Sequence, residues 1–129
     1  MYFGASDFPM AETQVSIRID LESGGRIGPG KIALLEAISK TGSITAAARL
    51  MNRRSMNMSR MTAWLLVEEI NKLLREPAVT TESGGAGGGG RAILTPVGQK
   101  LIQNYHSIEM RTRAAARREI QAFRRLVRH

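Results

Sequence analysis

Six of the seven positions in Gly84-Gly85-Ala86-Gly87-Gly88-Gly89-Gly90 are glycine, and the run stands between two short segments with strand character. Before it comes Ala78-Val79-Thr80-Thr81-Glu82, rich in β-branched residues, and after it Arg91-Ala92-Ile93-Leu94. Thr95-Pro96 follows at once, a helix-start signal. Glycine loses the most backbone entropy on ordering, so such a run is excluded from any packed element. Between strands it makes a hairpin tip without side chains, suited to lie close to a phosphate backbone or in a narrow groove. A loose surface loop has the same composition, so the reading turns on what precedes the hairpin.

What precedes it is helical. Residues 14–22 alternate, with Val15, Ile17, Ile19 and Leu21 on one side and Ser16, Arg18 and Asp20 on the other, the pattern of a half-buried strand. Gly24-Gly25 and Gly28-Pro29-Gly30 form a turn into a first helix over residues 30–40, striped by Ile32, Leu35 and Ile38. Thr41-Gly42 closes it, and Ser43 is placed to cap a second helix over residues 44–51. A polar connection, Asn52-Arg53-Arg54-Ser55, leads to a third helix ending near Arg75, where Ala63, Val67, Ile70 and Leu74 recur at helical spacing and face the core. Trp64 is expected as a core anchor between helices and hairpin. Helix-turn-helix followed by a glycine hairpin is the plan of a winged helix.

The balance of charge names the partner class. The net charge is +8, and from Arg91 onward nine Lys/Arg face two acids, Glu109 and Glu119, so most of the excess sits in the last third. A chain this basic expects a polyanion. Its 129 residues suffice for one domain. The absence of cysteine excludes disulfide frameworks and thiol nucleophiles. No apolar stretch approaches the roughly 18 residues of a membrane span, and the start from Met1 to Pro9 lacks the basic region and apolar core of a signal peptide. The expectation is a cytoplasmic protein with a disordered leader over 1–13, a DNA-binding domain over 14–95, and a long helix with a basic tail over 96–129.

That last helix, capped by Thr95, opened by Pro96 and running to about Val127, would be about 45 Å long. Leu101, Tyr105, Ile108, Ala115, Ile120, Phe123 and Leu126 lie close to one stripe. Nothing else in the chain reads as long enough to cover it, and a second copy is the simplest partner. The dimerisation residues expected from this are Leu101, Tyr105, Ile108, Ile120, Phe123 and Leu126. The alternative is a fold back onto its own domain, with a break near Gly98 or Met110.

In a helix-turn-helix the second helix of the pair enters the major groove with its N-terminal side chains leading. Here those are Met58, Ser59, Arg60, Met61 and Thr62. Arginine bonds a guanine edge, serine and threonine suit phosphates or bases, and apolar groups meet thymine methyls. Met56, Met58 and Met61 would equally serve as core fillers. Ser43, Arg53, Arg54 and Ser55 are placed for the DNA backbone. Gly84, Gly85, Gly87, Gly88, Gly89, Gly90 and Arg91 make up the wing.

Taken in order, Gly42-Ser43-Ile44-Thr45-Ala46-Ala47-Ala48-Arg49, Met58-Ser59, Ala63-Trp64-Leu65-Leu66-Val67-Glu68-Glu69-Ile70-Asn71, the glycine run and Leu94-Thr95-Pro96-Val97-Gly98 resemble a known family. It is the N-terminal DNA-binding domain of the molybdate-responsive ModE-type transcriptional regulators, a winged helix-turn-helix of LysR type. The resemblance spans about residues 14–125. It implies a mainly α fold with a small antiparallel sheet, and a homodimer through the long last helix on a palindromic operator in double-stranded DNA. Three departures accompany it. The interval over residues 50–57 is about five residues longer than usual in the family; Arg60, Met61 and Thr62 replace the family's residues after the serine; and Ala86 stands where a wing lysine often sits. Only Arg128 and His129 follow the long helix, so the resemblance implies a regulator without its own molybdate sensor.

No catalytic set, metal site or cofactor is expected. The glycine run lacks the Gly-Lys-Ser/Thr ending of a phosphate-binding loop and precedes a strand. His106 and Glu109 share a helix face without a third partner, which reads as surface pairing. Two alternatives stay open: a nucleoid-associated architectural protein with little sequence preference, and an adaptor that pairs with another regulator subunit.

Overall fold

In the computed structural model, which describes residues 13–54, 56–82 and 90–128, five helices and two small antiparallel sheets follow one another along the described residues. Their order is β1 (Ile19–Asp20), β2 (Arg26–Ile27), α1 (Pro29–Thr41), α2 (Ile44–Arg53), α3 (Arg60–Leu73), β3 (Val79–Glu82), β4 (Arg91–Leu94), α4 (Pro96–Ala115) and α5 (Arg117–Leu126).

The N-terminal strand is shorter than its alternation predicts. Only Ile19 and Asp20 find a ladder partner, in Ile27 and Arg26, across a turn with Gly24 at φ +100°. Upstream the alternation persists as burial without a ladder, Val15 and Ile17 half-buried and Gln14, Ser16 and Arg18 exposed. The backbone there bonds to side chains instead: Tyr105 Oη donates to Ile17 O at 2.7 Å, and Arg113 Nε donates to Val15 O at 2.9 Å. Ile17, Ile19 and Leu21 pack against a small cluster of Ile27, Ile32 and Tyr105.

Local chemistry sets the three central helices. Pro29 opens α1, and Gly42, left-handed at φ 72°, closes it by donating to Ile38 O. Ser43 caps α2, its oxygen accepting from Ala46 N at 3.1 Å. The helices interlock through Leu34, Leu35, Ala37 and Ile38 of α1, Ile44, Ala47, Ala48 and Met51 of α2, and Ala63, Val67 and Ile70 of α3. Of the four positions expected to face the core, Ala63, Val67 and Ile70 are therefore buried, and Leu74, at the C-cap of α3, is half-buried.

α2 runs to Arg53, so the lengthened interval is absorbed partly by two more helical residues and partly by a folded-back connection. Arg54 N and Met56 N both donate to Met51 O at 3.0 Å, and Asn57 takes a positive φ of 45°. The Asn52 side chain grips the far end: Nδ2 donates to Met58 O and Oδ1 accepts from Met58 N, both at 2.6 Å. α3 therefore begins at Arg60, with Ser59 as its cap, rather than at Met58.

β3 and β4 pair from Val79↔Leu94 to Glu82↔Arg91, as the segments flanking the glycine run predict. Residues 83–89, and with them most of that run, lie outside the described residues. Asn71 seats β3 on α3, accepting from Ala78 N and Val79 N and donating to Val79 O. Ala92 N donates to Gly42 O at 2.9 Å, tying β4 to the corner between α1 and α2. Thr95 caps α4 by accepting from Gly98 N, and its hydroxyl donates to Pro77 O.

The long last helix departs from expectation in two ways. It breaks at Ala116 (φ −100°, ψ 14°), beyond both Gly98 and Met110. Its first half is also covered within the chain: Tyr105 is buried under the N-terminal segment, and Leu101 packs against both apolar clusters. The stripe thus has an intramolecular partner as far as Tyr105, because residues 13–21 and α1 lie along α4. Beyond it Ile108, Phe123 and Leu126 are exposed and Ile120 is half-buried, and α5 has no buried residue.

Candidate nucleic-acid interface

The interface expected from the sequence converges on the start of α3. Ser59 takes the extended conformation of an N-cap, its Oγ accepting from Thr62 N at 3.0 Å and donating to Thr62 Oγ1 at 2.9 Å. These two hydroxyls thus secure the first turn, leaving its N-terminal end facing outward with Arg60 and Met61 exposed beside them. Unsatisfied N–H groups and the helix dipole make such an end favourable for an anion.

The methionines separate by role. Met58 is buried in the main core and Met56 is half-buried against it, whereas Met61 is 67% exposed. Met58 is therefore a core residue whose thioether is withdrawn from the surface, held by the Asn52 grip on its backbone. Trp64 departs from its expected place: it is 37% exposed, with Leu65 57% exposed beside it. Leu65 stands opposite the face of Ala63, Val67 and Ile70 and Trp64 at its flank, so core packing on α3 turns them outward. Positions 64 and 65 lie three and four residues after 61, one helical turn on, a spacing that alone could have grouped them with it.

Among the residues expected to meet the DNA backbone, Ser43 uses its hydroxyl to cap α2, Arg53 is exposed at the end of that helix, and Arg54 is half-buried. Ser55 lies outside the described residues, as do Gly84, Gly85, Gly87, Gly88 and Gly89 of the wing. Gly90 and Arg91 are exposed at the base of the hairpin, where Arg91 faces Glu82 across the ladder at 4.0 Å. Glu69, on the last turns of α3, is engaged by Lys31 of α1.

A second polar group lies between α1 and α4. His106 and Glu109 are buried, not a surface pair. His106 Nε2 lies 3.1 Å from Glu36 Oε2, its Nδ1 lies 3.6 Å from Glu109 Oε1, and Glu109 Oε2 lies 3.5 Å from Arg113. Burial, with the Glu109 charge adding and Arg113 opposing, pushes the Tyr105 phenol up to about 12. The sequence missed the burial because it comes from α1 and the N-terminal segment closing over this face. An open groove of about 460 Å³ beside it is lined by Glu36, Ile102, Gln103, His106, Ser107, Met110 and Arg111. Among the described residues no cluster of three His, Asp or Glu side chains could hold a metal ion, and no helix is long and apolar enough to cross a membrane.

No protein-family model matches the chain. It is 48% identical over 87 residues to the molybdenum-pterin-binding protein MopB of Rhodobacter capsulatus, a match covering 67% of this chain and 30% of that protein. It is 32% identical over 120 residues to the molybdenum transport protein ModE of Azotobacter vinelandii, covering 84% of this chain and 42% of the relative. With the DNA-binding transcriptional dual regulator ModE of Escherichia coli K12 it shares 34% identity over 94 residues, 73% of this chain and 34% of that protein. The chain thus spans under half the length of these relatives, whose names describe regulators and molybdenum-binding or transport proteins. Over two thirds or more of its own length, the chain is similar to ModE regulators and molybdenum-pterin-binding proteins.

Proposed function

We propose that this chain is a sequence-specific DNA-binding transcriptional regulator, a winged helix-turn-helix acting as a dimer on a palindromic operator. The observation that carries the reading is the start of α3, capped by Ser59 and held by Asn52, with exposed Arg60 and Met61 on it and exposed Arg53 on the helix before it. In this reading residues 14–95 form the DNA-binding domain, α3 is the recognition helix, and the β3–β4 hairpin is the wing. Residues 96–129 form the dimerisation element, with Ile108, Ile120, Phe123 and Leu126 meeting a second copy. Arg60 reaches a base edge, while Arg53 and Arg91 neutralise phosphates.

Selection from a random DNA pool followed by titration tests this. A palindromic consensus is expected. Arg60→Ala should cost about 1–3 kcal/mol on it and relax preference at one base pair. Arg53→Ala should weaken all sequences alike and lower the salt slope by about one unit. Recovery of no preferred sequence, with strong salt dependence alone, would replace this reading by an architectural DNA-binding protein.

A further inference from the structure

Three large apolar side chains, Met61, Trp64 and Leu65, stand 67%, 37% and 57% exposed within the first two turns of α3, Met61 and Leu65 opposite its core face and Trp64 at its flank. Exposed apolar groups scattered singly need no explanation, but a contiguous stripe on the leading half of one helix does. Its surroundings indicate what it meets. Arg60 is exposed on the first turn of the same helix, and Arg49 and Arg53 are exposed on α2, which Asn52 ties to the entry of α3. Along α3 the first acid is Glu68, a turn after Trp64 and Leu65, and Glu69 is engaged by Lys31.

An apolar stripe flanked by cations complements a surface that is itself apolar between rows of negative charge. The floor of the DNA major groove is such a surface wherever it carries thymine, because the 5-methyl group is its apolar feature and phosphates line both walls. From Met61 to Leu65 the helix rises about 6 Å, close to two base-pair steps of roughly 3.4 Å.

Resting on the DNA-binding reading above, we propose that Met61, Trp64 and Leu65 form a methyl-reading surface that selects adjacent thymines in each half-site. Arg60 then supplies polar contact at one end of the stripe, and the stripe sets preference for the base pairs that follow. Neither Trp64 nor Leu65 belongs to the base-contacting set expected from the sequence.

Replacing single thymines of the selected operator by uracil tests this with the wild-type chain, since only the methyl is removed and base pairing is kept. Affinity should fall about fourfold per contacted methyl at one or two adjacent positions per half-site and stay unchanged elsewhere. Leu65→Gln and Met61→Gln, checked for fold by circular dichroism, should bind thymine and uracil operators alike at the affected position. Arg60→Ala should keep the thymine-to-uracil ratio. A wild-type chain that binds a defined palindrome equally well with uracil at every position overturns the methyl-reading surface and leaves the regulator reading standing. Failure to select any sequence overturns both.

Discussion

The phenol of Tyr105 donates a 2.7 Å hydrogen bond to the carbonyl oxygen of Ile17, eighty-eight residues away in the chain. Together with Arg113, which bonds Val15 O, it lays the N-terminal segment along α4 and gives the start of the long helix a partner within its own chain. Tyr105→Phe should cost about 1 kcal/mol through the lost bond and the carbonyl left behind. The same change alters the alkaline limit. Burial pushes Tyr105 up to about 12 from its ordinary 10, so between these values the folded chain keeps a proton that the unfolded chain has lost. The stability it contributes is fully present below about pH 10 and lost as pH rises toward about 12. Urea denaturation at about pH 9 and about pH 11 should show a smaller alkaline loss for Tyr105→Phe than for wild type. Equal losses would refute the assignment.

Asn52 grips both backbone groups of Met58 at 2.6 Å, so Asn52→Ala leaves a buried residue's N–H and C=O without that partner. A loss of about 1–3 kcal/mol is expected, measured by thermal or urea denaturation. Because the grip sets where α3 begins, operator affinity should fall as well, even at temperatures where the variant is fully folded. A folded variant with unchanged affinity would show that the entry of α3 is fixed by the core alone.

Two helical glycines should respond in opposite directions to alanine. A Cβ on Gly98 would stand 2.5 Å from Ala78 O and 2.6 Å from Leu94 Cδ1, whereas one on Gly30 meets nothing within 4 Å. Gly98→Ala forces α4 away from the backbone of residue 78. It should destabilise by about 1–3 kcal/mol despite the roughly 1 kcal/mol of added helix propensity. Gly30→Ala, with no such contact, should stabilise by up to about 1 kcal/mol. Melting temperatures of the two variants that shift in the same direction would contradict this packing.

Substitutions along the last helix should separate assembly from folding. Ile108 and Phe123 are 45% and 58% exposed, so under the dimer reading Ile108→Asp with Phe123→Asp should give folded monomers in light scattering. Leu101→Asp should instead destabilise the fold itself, since Leu101 packs against both clusters of the monomer. An unchanged dimer in the double variant would move the interface elsewhere.

The features legible in the residues alone are local. Ser43, Thr95, Pro96 and Gly42 mark helix ends because capping and left-handed closure act within a few residues. The spacing of Ala63, Val67 and Ile70 identifies the core face of α3 because one periodicity governs a whole helix. The segments around the glycine run read correctly as strands. The start of α3 is legible to within two residues, at Ser59 and Arg60 rather than Met58.

Which faces are covered depends on the packing of distant segments. Leu101 and Tyr105 lie on the same stripe as Ile108, yet the N-terminal segment reaches the first two and leaves the third exposed. His106 and Glu109 are buried because Glu36 and the N-terminal segment close over them, and no local spacing carries that information. Trp64 stands outward although tryptophan most often serves a core, because Ala63 and Val67 already fill the space against α1 and α2. The break at Ala116 falls among alanines, the strongest helix formers, where no residue signals a stop. Caps and periodicity are set by neighbours a turn apart, whereas burial depends on which distant segment comes to rest on a face, and that is a property of the assembled chain.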